Sequence, residues 1–212
     1  MKERPILFSA PMVRALLDGS KTQTRRVVTA KHIGLPPGMS PSVLLDEFEG
    51  PIVGFSCPYG EAGDRLWVRE AFMHTPAKYE PMMSMTVPLV RAETSYRADF
   101  AGDSTGLGWK PSIHMPRNLS RITLEVVSVR VERLQDISED DAMAEGIHKY
   151  PHQWRDCEYP LPDIAYEAAP GSAMRHSSSV AAYRDLWEQI NGLGSWEANP
   201  WVWVVEFRKV TP

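Results

Sequence analysis

The sequence predicts an α+β fold in which a few strands form a small β-barrel with helices at its rim. Two strand candidates carry this prediction. In residues 121–134 the apolar side chains keep one alternation phase up to Val126 and the other from Val127 onward. A strand that changes its buried face needs a bulge or strong coiling, as strands do at the corner of a small barrel. The last strand, residues 201–207, is apolar on both faces until Glu206 and is expected to be central.

A short helix is predicted near the start of the chain. Ser9 or Ala10 is its expected N-cap, and Pro11 stands at the first helical position. Gly19 is the expected left-handed residue that ends it. The chain therefore leaves this helix abruptly.

The residues directly after Gly19 are the strongest candidate for a functional site. Residues 20–26, SKTQTRR, hold a lysine, hydroxyl groups and two guanidinium groups. An extended chain would place Lys21 and Thr24 on opposite sides, so the two meet only if the chain turns between them. A threonine hydroxyl needs a base to take its proton, and a lysine with a pKa lowered by burial can be that base. The structural alternative is that the threonines cap turns and the cations cover a surface.

A second strand is predicted at residues 65–70. Its alternation places Leu66, Val68 and Glu70 on one face and Arg65, Trp67 and Arg69 on the other. Trp67 between two arginines is either a platform for a stacked base or simple packing. A buried Glu70 would need a cationic partner, for which the candidates are Lys21, Arg25 and Arg26.

Two further helices are predicted at the rim of the barrel. Ser138 caps the first, acidic residues follow it as the helix dipole prefers, and Gly146 lies just beyond its end. The second spans about residues 180–190 with an apolar stripe on one side, and Gly192 follows it.

Three stretches rich in proline, glycine and serine separate these elements, at about residues 29–63, 73–118 and 148–178. They are predicted to be insertions in one domain, residues 1–212. We expect them to run over its surface in irregular paths rather than to form a second hydrophobic core.

The composition narrows the classes of function. The net charge of -4 argues against a protein whose whole surface binds long nucleic acid, and it favours a small or single-stranded ligand. No apolar run is long enough to span a membrane, and the first residues lack the apolar core of a secretion signal. The sequence therefore predicts a cytoplasmic protein with no membrane partner.

Cysteine and histidine residues give no sign of a metal site. Cys57 and Cys157 lie far apart without a CxxC partner, so both are expected to be reduced thiols. His148 and His152 have the spacing of helical metal ligands, but Pro151 would interrupt the helix that aligns them. No metal and no other cofactor is predicted.

The order of these segments resembles the ASCH domain family. The matching residues are Gly19, Lys21, Thr22, Thr24 and Arg26, then Gly63, Asp64, Leu66 and Val68, then residues 134–147 and 201–207. The resemblance implies a PUA-like β-barrel with flanking helices. In its length and in the motifs CPYG at 57–60, WVRE at 67–70 and NPW at 199–201, the chain is more similar to the longer ASCH proteins of phages and prophages.

Small bacterial N(4)-acetylcytidine amidohydrolases of this family carry a lysine, a threonine and a glutamate as their catalytic set. By this resemblance Lys21 and Thr24 match the first two, and Glu145, three positions after an alanine, matches the third. The arginine two residues beyond the threonine matches Arg26. The position of Glu145 in the last turn of its predicted helix also makes it a candidate acid, because the negative end of the helix dipole disfavours another negative charge there. The alternative is a solvated residue before a helix-ending glycine.

The leading hypothesis is a hydrolase of an acylated or otherwise modified nucleobase or nucleoside. The acyl group of the substrate would pass to Thr24, with Lys21 as base and Glu145 as proton shuttle. The expected substrate-binding residues are Arg25, Arg26, Trp67, Arg69 and Glu70. One alternative is a non-catalytic PUA-like module that binds RNA or a modified base, and another is a ribonuclease that acts on single-stranded RNA. The sequence does not predict an oligomeric state.

Overall fold

The computed structural model describes residues 1–36, 38–46, 56–76, 78–82, 85–90, 93–100, 108–151, 164–168 and 175–210. The strands are β1 (Glu3–Leu7), β2 (Gln23–Val27), β3 (Arg65–Arg69), β4 (Phe72–Thr75), β5 (Lys78–Met82), β6 (Met85–Val90), β7 (Glu93–Tyr96), β8 (Thr123–Arg133), β9 (His148–Pro151), β10 (Ile164–Glu167) and β11 (Trp201–Lys209). The helices are α1 (Ala10–Asp18), α2 (Ser42–Leu45), α3 (Glu139–Ala144) and α4 (Ser179–Asn191).

Five strands form the central sheet, in the order β1-β3-β8-β11-β2. β1 and β3 are parallel, whereas β3 with β8, β8 with β11, and β11 with β2 are antiparallel. The α+β class with a mostly sheet core is as predicted. The prediction of a closed barrel is wrong, since no hydrogen-bonded ladder joins the edge strands β1 and β2 within the described ranges.

A side chain spans the gap where the barrel would have closed. Each edge strand has only five residues. The Arg26 guanidinium reaches from β2 to the end of β1, where Nη2 donates a hydrogen bond of 2.7 Å to the Leu7 carbonyl oxygen. Closure of a barrel requires backbone pairing between its first and last strands. Here a side-chain hydrogen bond of Arg26, rather than a backbone ladder, links the two edge strands.

The bulge predicted on β8 is present, but it keeps the apolar residues on one face, since Val129 and Val131 pack against the same cluster as Leu124 and Val126. Phe207 pairs with Val126 and Glu206 with Ser128, so Val127 is an extra residue on β8. Its side chain is 50% exposed. A bulge of this kind bends the strand and increases its twist. Accordingly, β8 pairs with β3 only over residues 123–125, before the bulge.

Apolar side chains pack on both faces of the sheet. The first cluster lies against α1 and includes Phe8, Leu16, Val68, Trp203 and Val205. The second cluster lies under α3 and α4 and includes Leu134, Tyr183, Trp187, Val202 and Val204. Successive residues of β11 thus enter opposite clusters, which is why this strand is apolar on both faces. Its prediction as a central strand is confirmed.

The insertions contain more regular structure than predicted. β4 pairs with β7 and β5 with β6 inside the second insertion, and β9 pairs with β10 inside the third. Pro81, Pro88 and Pro151 lie within these strands. A two-stranded ladder consists only of edge strands, where the missing N–H of a proline can face away from the partner. Proline therefore did not exclude strands here.

Some residues of the insertions also pack into the clusters on the central sheet. Ile33, Leu45 and Cys57 of the first insertion belong to the first apolar cluster. Ala168 of the third insertion belongs to the second. The open sheet leaves apolar surface that these segments cover.

The helix ends follow the sequence closely. α1 has Ser9 at its N-cap and ends at Gly19, whose φ is +85°. The Ser138 hydroxyl accepts a hydrogen bond from Asp141 N at the start of α3. Ser178 caps α4 in the same way, by accepting from Ala181 N. Among the helices that the structure describes, none is both long and apolar enough to cross a membrane.

Candidate functional site

The end of α3 brings Glu145 against Lys21. The Thr22 N–H donates to the Ala144 carbonyl oxygen at 2.8 Å, and Lys21 and Glu145 form an isolated antiparallel bridge. Gly146 permits this approach, because its φ is +95° and a Cβ there would lie 3.3 Å from Lys21 Cβ. Lys21 Nζ donates to Glu145 Oε2 at 2.6 Å and to the Glu145 carbonyl oxygen at 2.8 Å. The sequence-predicted base and acid are thus in direct contact.

Burial dominates the electrostatics of this pair. The side chains of Lys21 and Glu145 are 0% and 3% exposed. Loss of hydration lowers the pKa of Lys21, and the opposing charge of Glu145 only partly offsets this effect. A lysine that gives up its proton more readily than usual, with a carboxylate oxygen 2.6 Å away, is able to take part in proton transfer.

A small pocket of about 50 Å³ lies beside Glu145. It is lined by Met12, Thr24, Arg25, Arg26, Val27 and Glu145, and on the α4 side by Tyr183, Leu186, Trp187, Ile190 and Asn191. Its volume suits about one or two water molecules or a group of similar size. Thr24, which is 2% exposed, and Glu145 are therefore both on the wall of one pocket.

Lys21 is not on the wall of this pocket. Its Nζ bonds lead to Glu145, and no hydrogen bond joins Lys21 to Thr24, both of which the structure describes. Glu145 consequently lies between the amine and the pocket. Among the predicted trio, Lys21 thus contacts Glu145, and Glu145 shares the pocket wall with Thr24.

Four buried polar atoms of the pocket-lining residues have no hydrogen-bond partner in the described part of the chain. They are Arg25 Nε, Arg26 Nε, Glu145 Oε1 and Trp187 Nε1. Oε1 lies 3.6 Å from an Arg25 guanidinium nitrogen. Buried polar groups are normally paired, so the residues around this pocket are incompletely satisfied by the fold.

Tyr183 adds a hydroxyl group to this environment. Burial raises the pKa of Tyr183 well above its usual value, and the nearby Glu145 charge acts in the same direction. The hydroxyl therefore stays protonated and remains a donor. Tyr183 and Trp187 belong to the apolar stripe that the sequence predicts on this helix, α4. The sequence signal that could have identified them is the tyrosine hydroxyl and the indole N–H on a helix face predicted to be buried.

Arg25 is held in a buried ionic network. Its side chain is 0% exposed, and its guanidinium lies 2.6 Å from Glu132 and 3.2 Å from Asp141. Burial acts to raise the pKa of Asp141. A hydrogen bond from Gln23 and the charges of Arg25 and Arg130 act in the opposite direction and outweigh burial, so the pKa falls to about 2. Arg25 therefore lines the pocket with its charge already balanced by carboxylates.

Arg26 is the less enclosed of the two arginines. Besides its bond to Leu7, its guanidinium lies 5.4 Å from the centre of the Phe8 ring. Lys21 Nζ lies 5.6 Å from the same ring, so Phe8 contacts both cations. Arg26 Nε is buried without a hydrogen-bond partner in the described ranges. Arg26 is thus a pocket-lining cation with one donor still open.

Trp67 and Arg69, predicted to bind substrate, do not line this pocket. The Trp67 ring has the Arg69 guanidinium 5.1 Å and the Arg117 guanidinium 5.9 Å from its centre. Arg69 Nε also donates to the Met115 carbonyl oxygen at 3.0 Å. These residues form a separate, half-buried stack.

Glu70 has a different partner from the three candidates named above. Arg121 donates to it through Nε at 2.9 Å and Nη2 at 3.1 Å, and Asp99 shares the same guanidinium. The reason is strand order, since Arg121 lies two residues before β8, the neighbour of β3, whereas β2 stands at the far edge. Burial raises the pKa of Glu70, although Arg121 acts against this shift. Glu70 belongs to a structural ion pair.

The residues considered for metal binding are not assembled in the described ranges. His148 lies in strand β9 rather than in a helix, and His152 and Cys157 lie outside the described residues. Cys57 is a buried free thiol, and burial raises its pKa. Across the residues that the structure describes, no group of three or more His, Cys, Asp or Glu is placed to hold a metal ion.

No protein-family model, curated protein or solved structure matches this chain.

Proposed function

We propose that the chain is a hydrolase that cleaves the N-acyl bond of a modified nucleobase or nucleoside, with N(4)-acetylcytidine as the reference substrate. The observation that carries this proposal is the buried Lys21–Glu145 pair, with Glu145 on the wall of the pocket that Thr24 lines. The resemblance of residues 19–26 to the ASCH-domain amidohydrolases supports the same class of reaction.

The first half-reaction transfers the acyl group to the enzyme. The Lys21–Glu145 pair takes the proton of the Thr24 hydroxyl, and Oγ1 attacks the acyl carbon. Arg26 stabilises the negative charge that develops on the acyl oxygen. The pair then returns the proton to the amino nitrogen of the base as the C–N bond breaks. The products of this step are the free nucleoside and an acyl ester of Thr24.

The second half-reaction releases the acid. A water molecule gives its proton to the Lys21–Glu145 pair and attacks the ester carbon. The bond to Oγ1 breaks, and Thr24 regains a proton from the pair. For an acetyl substrate, the released acid is acetate. Lys21 acts through Glu145 in both steps, which fits its position behind the carboxylate.

The size of the pocket sets which part of the substrate enters. A volume of about 50 Å³ is far below that of small-molecule sites, which occupy roughly 300–1,000 Å³. Only the acyl group fits beside Thr24, so the base and sugar would remain at the entrance near Arg26. Substrates with bulky acyl groups should consequently react poorly.

The direct test uses a panel of acylated nucleosides, with products resolved by mass. The wild-type chain should release cytidine and acetate from N(4)-acetylcytidine. The variant Thr24→Val removes the hydroxyl at nearly constant volume and should lose roughly a thousandfold or more in kcat. Thr22→Val is the matched control, because Thr22 is exposed and should be dispensable. Full activity of Thr24→Val would eliminate the nucleophile, and an inert wild-type chain would contradict the proposed function.

The Trp67 stack favours RNA binding as a second candidate. An aromatic ring flanked by the Arg69 and Arg117 guanidinium groups is a known platform for single-stranded nucleic acid. Fluorescence anisotropy with single-stranded RNA tests it. Binding should weaken steeply between 50 and about 200 mM salt and should decrease in Trp67→Ala, with the RNA left intact. Cleaved RNA would instead indicate the ribonuclease alternative.

A further inference from the structure

The residues that line the pocket beside Glu145 differ in exposure and in polarity. The buried ones form its floor, and each carries a polar group: Thr24, Arg25, Glu145, Tyr183 and Trp187. The less buried ones form its mouth, and most of them are apolar: Met12, Val27, Leu186 and Ile190, beside Arg26 and Asn191. Folded chains usually show the opposite arrangement, with apolar side chains inside. We call the four apolar residues of the mouth the apolar rim.

The apolar rim surrounds the free edge of the central sheet. Val27 ends the edge strand β2, Met12 comes from α1 on one face of the sheet, and Ile190 comes from α4 on the other. Val27 and Ile190 are 37% and 52% exposed. Both therefore line the pocket and are open to solvent, so a ligand can reach them.

The direction of α4 relates the mouth to the floor. Tyr183 is 3% exposed and Ile190, seven residues later on the same helix, is 52% exposed. A rise of 1.5 Å per residue separates them by about 10 Å along the helix axis. An acetyl group joined through an amide to one six-membered ring has a similar length. A substrate whose acyl group reaches Thr24 would therefore bring the ring of its amine against the apolar rim.

Arg26 gives the mouth its charge. Its guanidinium lies 5.4 Å from the centre of the Phe8 ring and donates to the Leu7 carbonyl oxygen, and neither neighbour is negatively charged. A guanidinium group attracts the electron-rich face of an aromatic ring and repels a cation. Together with the apolar rim, Arg26 favours a neutral aromatic ring over a charged or strongly hydrated group.

We propose that the apolar rim binds the aromatic ring of the amine that the enzyme releases, so that its substrates are N-acylated aromatic amines, of which an acylated nucleobase is one example. The inference rests on the proposed hydrolase function, to which it adds the residues that select the leaving group. Ile190, the most exposed residue of the rim, is thus a specificity-determining residue and takes no part in proton transfer.

Methyl NMR tests the binding of the ring without turnover. Acetanilide and N-acetylglucosamine, which carry the same acetamide on an aromatic ring and on a sugar ring, are titrated separately into the Thr24→Val chain with ¹³C-labelled isoleucine methyl groups. Ile190→Ser identifies the Ile190 signal by its loss. A ring stacked on Ile190 moves this signal upfield, and a saturable upfield shift is expected with acetanilide only. No shift at roughly 10 mM acetanilide, or an equal shift with the sugar, would overturn the proposal.

Kinetics of the active chain test the same residue. Because Ile190 is half exposed, Ile190→Ser should fold normally. It should raise KM for acetanilide and N(4)-acetylcytidine by about tenfold and leave kcat nearly unchanged, since the contact with the ring is lost equally in the ground state and the transition state. Leu193→Ser is the matched control, because Leu193 is 94% exposed and does not line the pocket. An unchanged KM in Ile190→Ser would overturn the proposal.

The two experiments separate this inference from the function on which it rests. An Ile190 shift with acetanilide, in a wild-type chain that releases neither aniline nor cytidine, would support binding of aromatic rings and contradict the hydrolase. Release of acetate from both substrates, with no Ile190 shift and no change of KM in Ile190→Ser, would support the hydrolase and contradict the role of the rim.

Discussion

Lys21 and Glu145, 124 residues apart in the chain, share a hydrogen bond of 2.6 Å in which neither side chain has more than 3% of its surface exposed. Removing one partner of a buried pair leaves an uncompensated charge, whereas replacing both often costs little. The same contact therefore supports the fold and the proposed chemistry. Loss of activity in a single variant has to be separated from loss of structure.

The first prediction concerns the stability of this pair. Lys21→Met leaves the Glu145 carboxylate buried and should lower the free energy of unfolding by about 3–5 kcal/mol. The double variant Lys21→Met with Glu145→Gln should be more stable than the sum of the single changes implies. Urea denaturation of the wild type and the three variants measures this coupling. Strictly additive effects would show that the two groups do not interact.

The second prediction concerns the pH dependence of the proposed reaction. Burial lowers the pKa of Lys21 below its usual 10.5, so the fraction of free amine grows as the pH rises through the lowered value. kcat/KM for N(4)-acetylcytidine should therefore increase with pH and level off below pH 10.5. Lys21→Arg keeps the positive charge but cannot lose its proton, and it should remove the activity. A flat profile in the wild type would exclude Lys21 from proton transfer.

The third prediction uses the acidic network around Arg25. The pKa of Asp141 is about 2 in the folded chain against 3.8 as its usual value, so its carboxylate stabilises the fold above pH 4 and ceases to do so as the pH falls toward 2. Asp141→Asn should lose about 1 kcal/mol at pH 7, a value reduced by the partial exposure of this side chain. The difference between variant and wild type should shrink at pH 3. Urea midpoints at both pH values measure it, and a constant difference would contradict the linkage.

The fourth prediction concerns Glu70 and Arg121. Glu70 is 2% exposed and its side chain would be stranded in Arg121→Met, which should lose about 3 kcal/mol at pH 7. Glu70→Gln should cost less than about 1 kcal/mol, because Arg121 is 26% exposed and keeps Asp99. Burial raises the pKa of Glu70, so acidification protonates it and should reduce the penalty of Arg121→Met. Equal costs for the two variants would show that burial of the carboxylate is unimportant.

Features that depend on neighbouring residues were predictable. Pro11 and Gly19 mark the first helix, Ser138 caps α3, and the phase change at Val127 appears as a bulge. Each depends on the conformational preferences or alternation of a few adjacent residues. By contrast, short strands that contain proline were missed, because the sequence does not show that a strand stands at an edge.

The candidate site illustrates the same division. Residues 19–26 were singled out from their chemistry, and the resemblance named Glu145 as their partner. Tyr183 and Trp187 were missed, because an amphipathic helix shows which face is buried but not which polar atoms meet a pocket. The predicted partner of Glu70 was wrong, because strand order rather than proximity in sequence places Arg121 beside Glu70.

By itself, the sequence determined the helix ends, the alternation of β3, the bulge of β8 and the α+β class, since these follow from local sterics and polarity. Only the tertiary structure decided that the sheet stays open, that Arg26 spans its gap, and that Glu145 lies between Lys21 and the pocket. The physical reason is that these outcomes depend on contacts between distant segments. Their geometry is set by packing on both faces of the sheet and by the close approach that Gly146 allows.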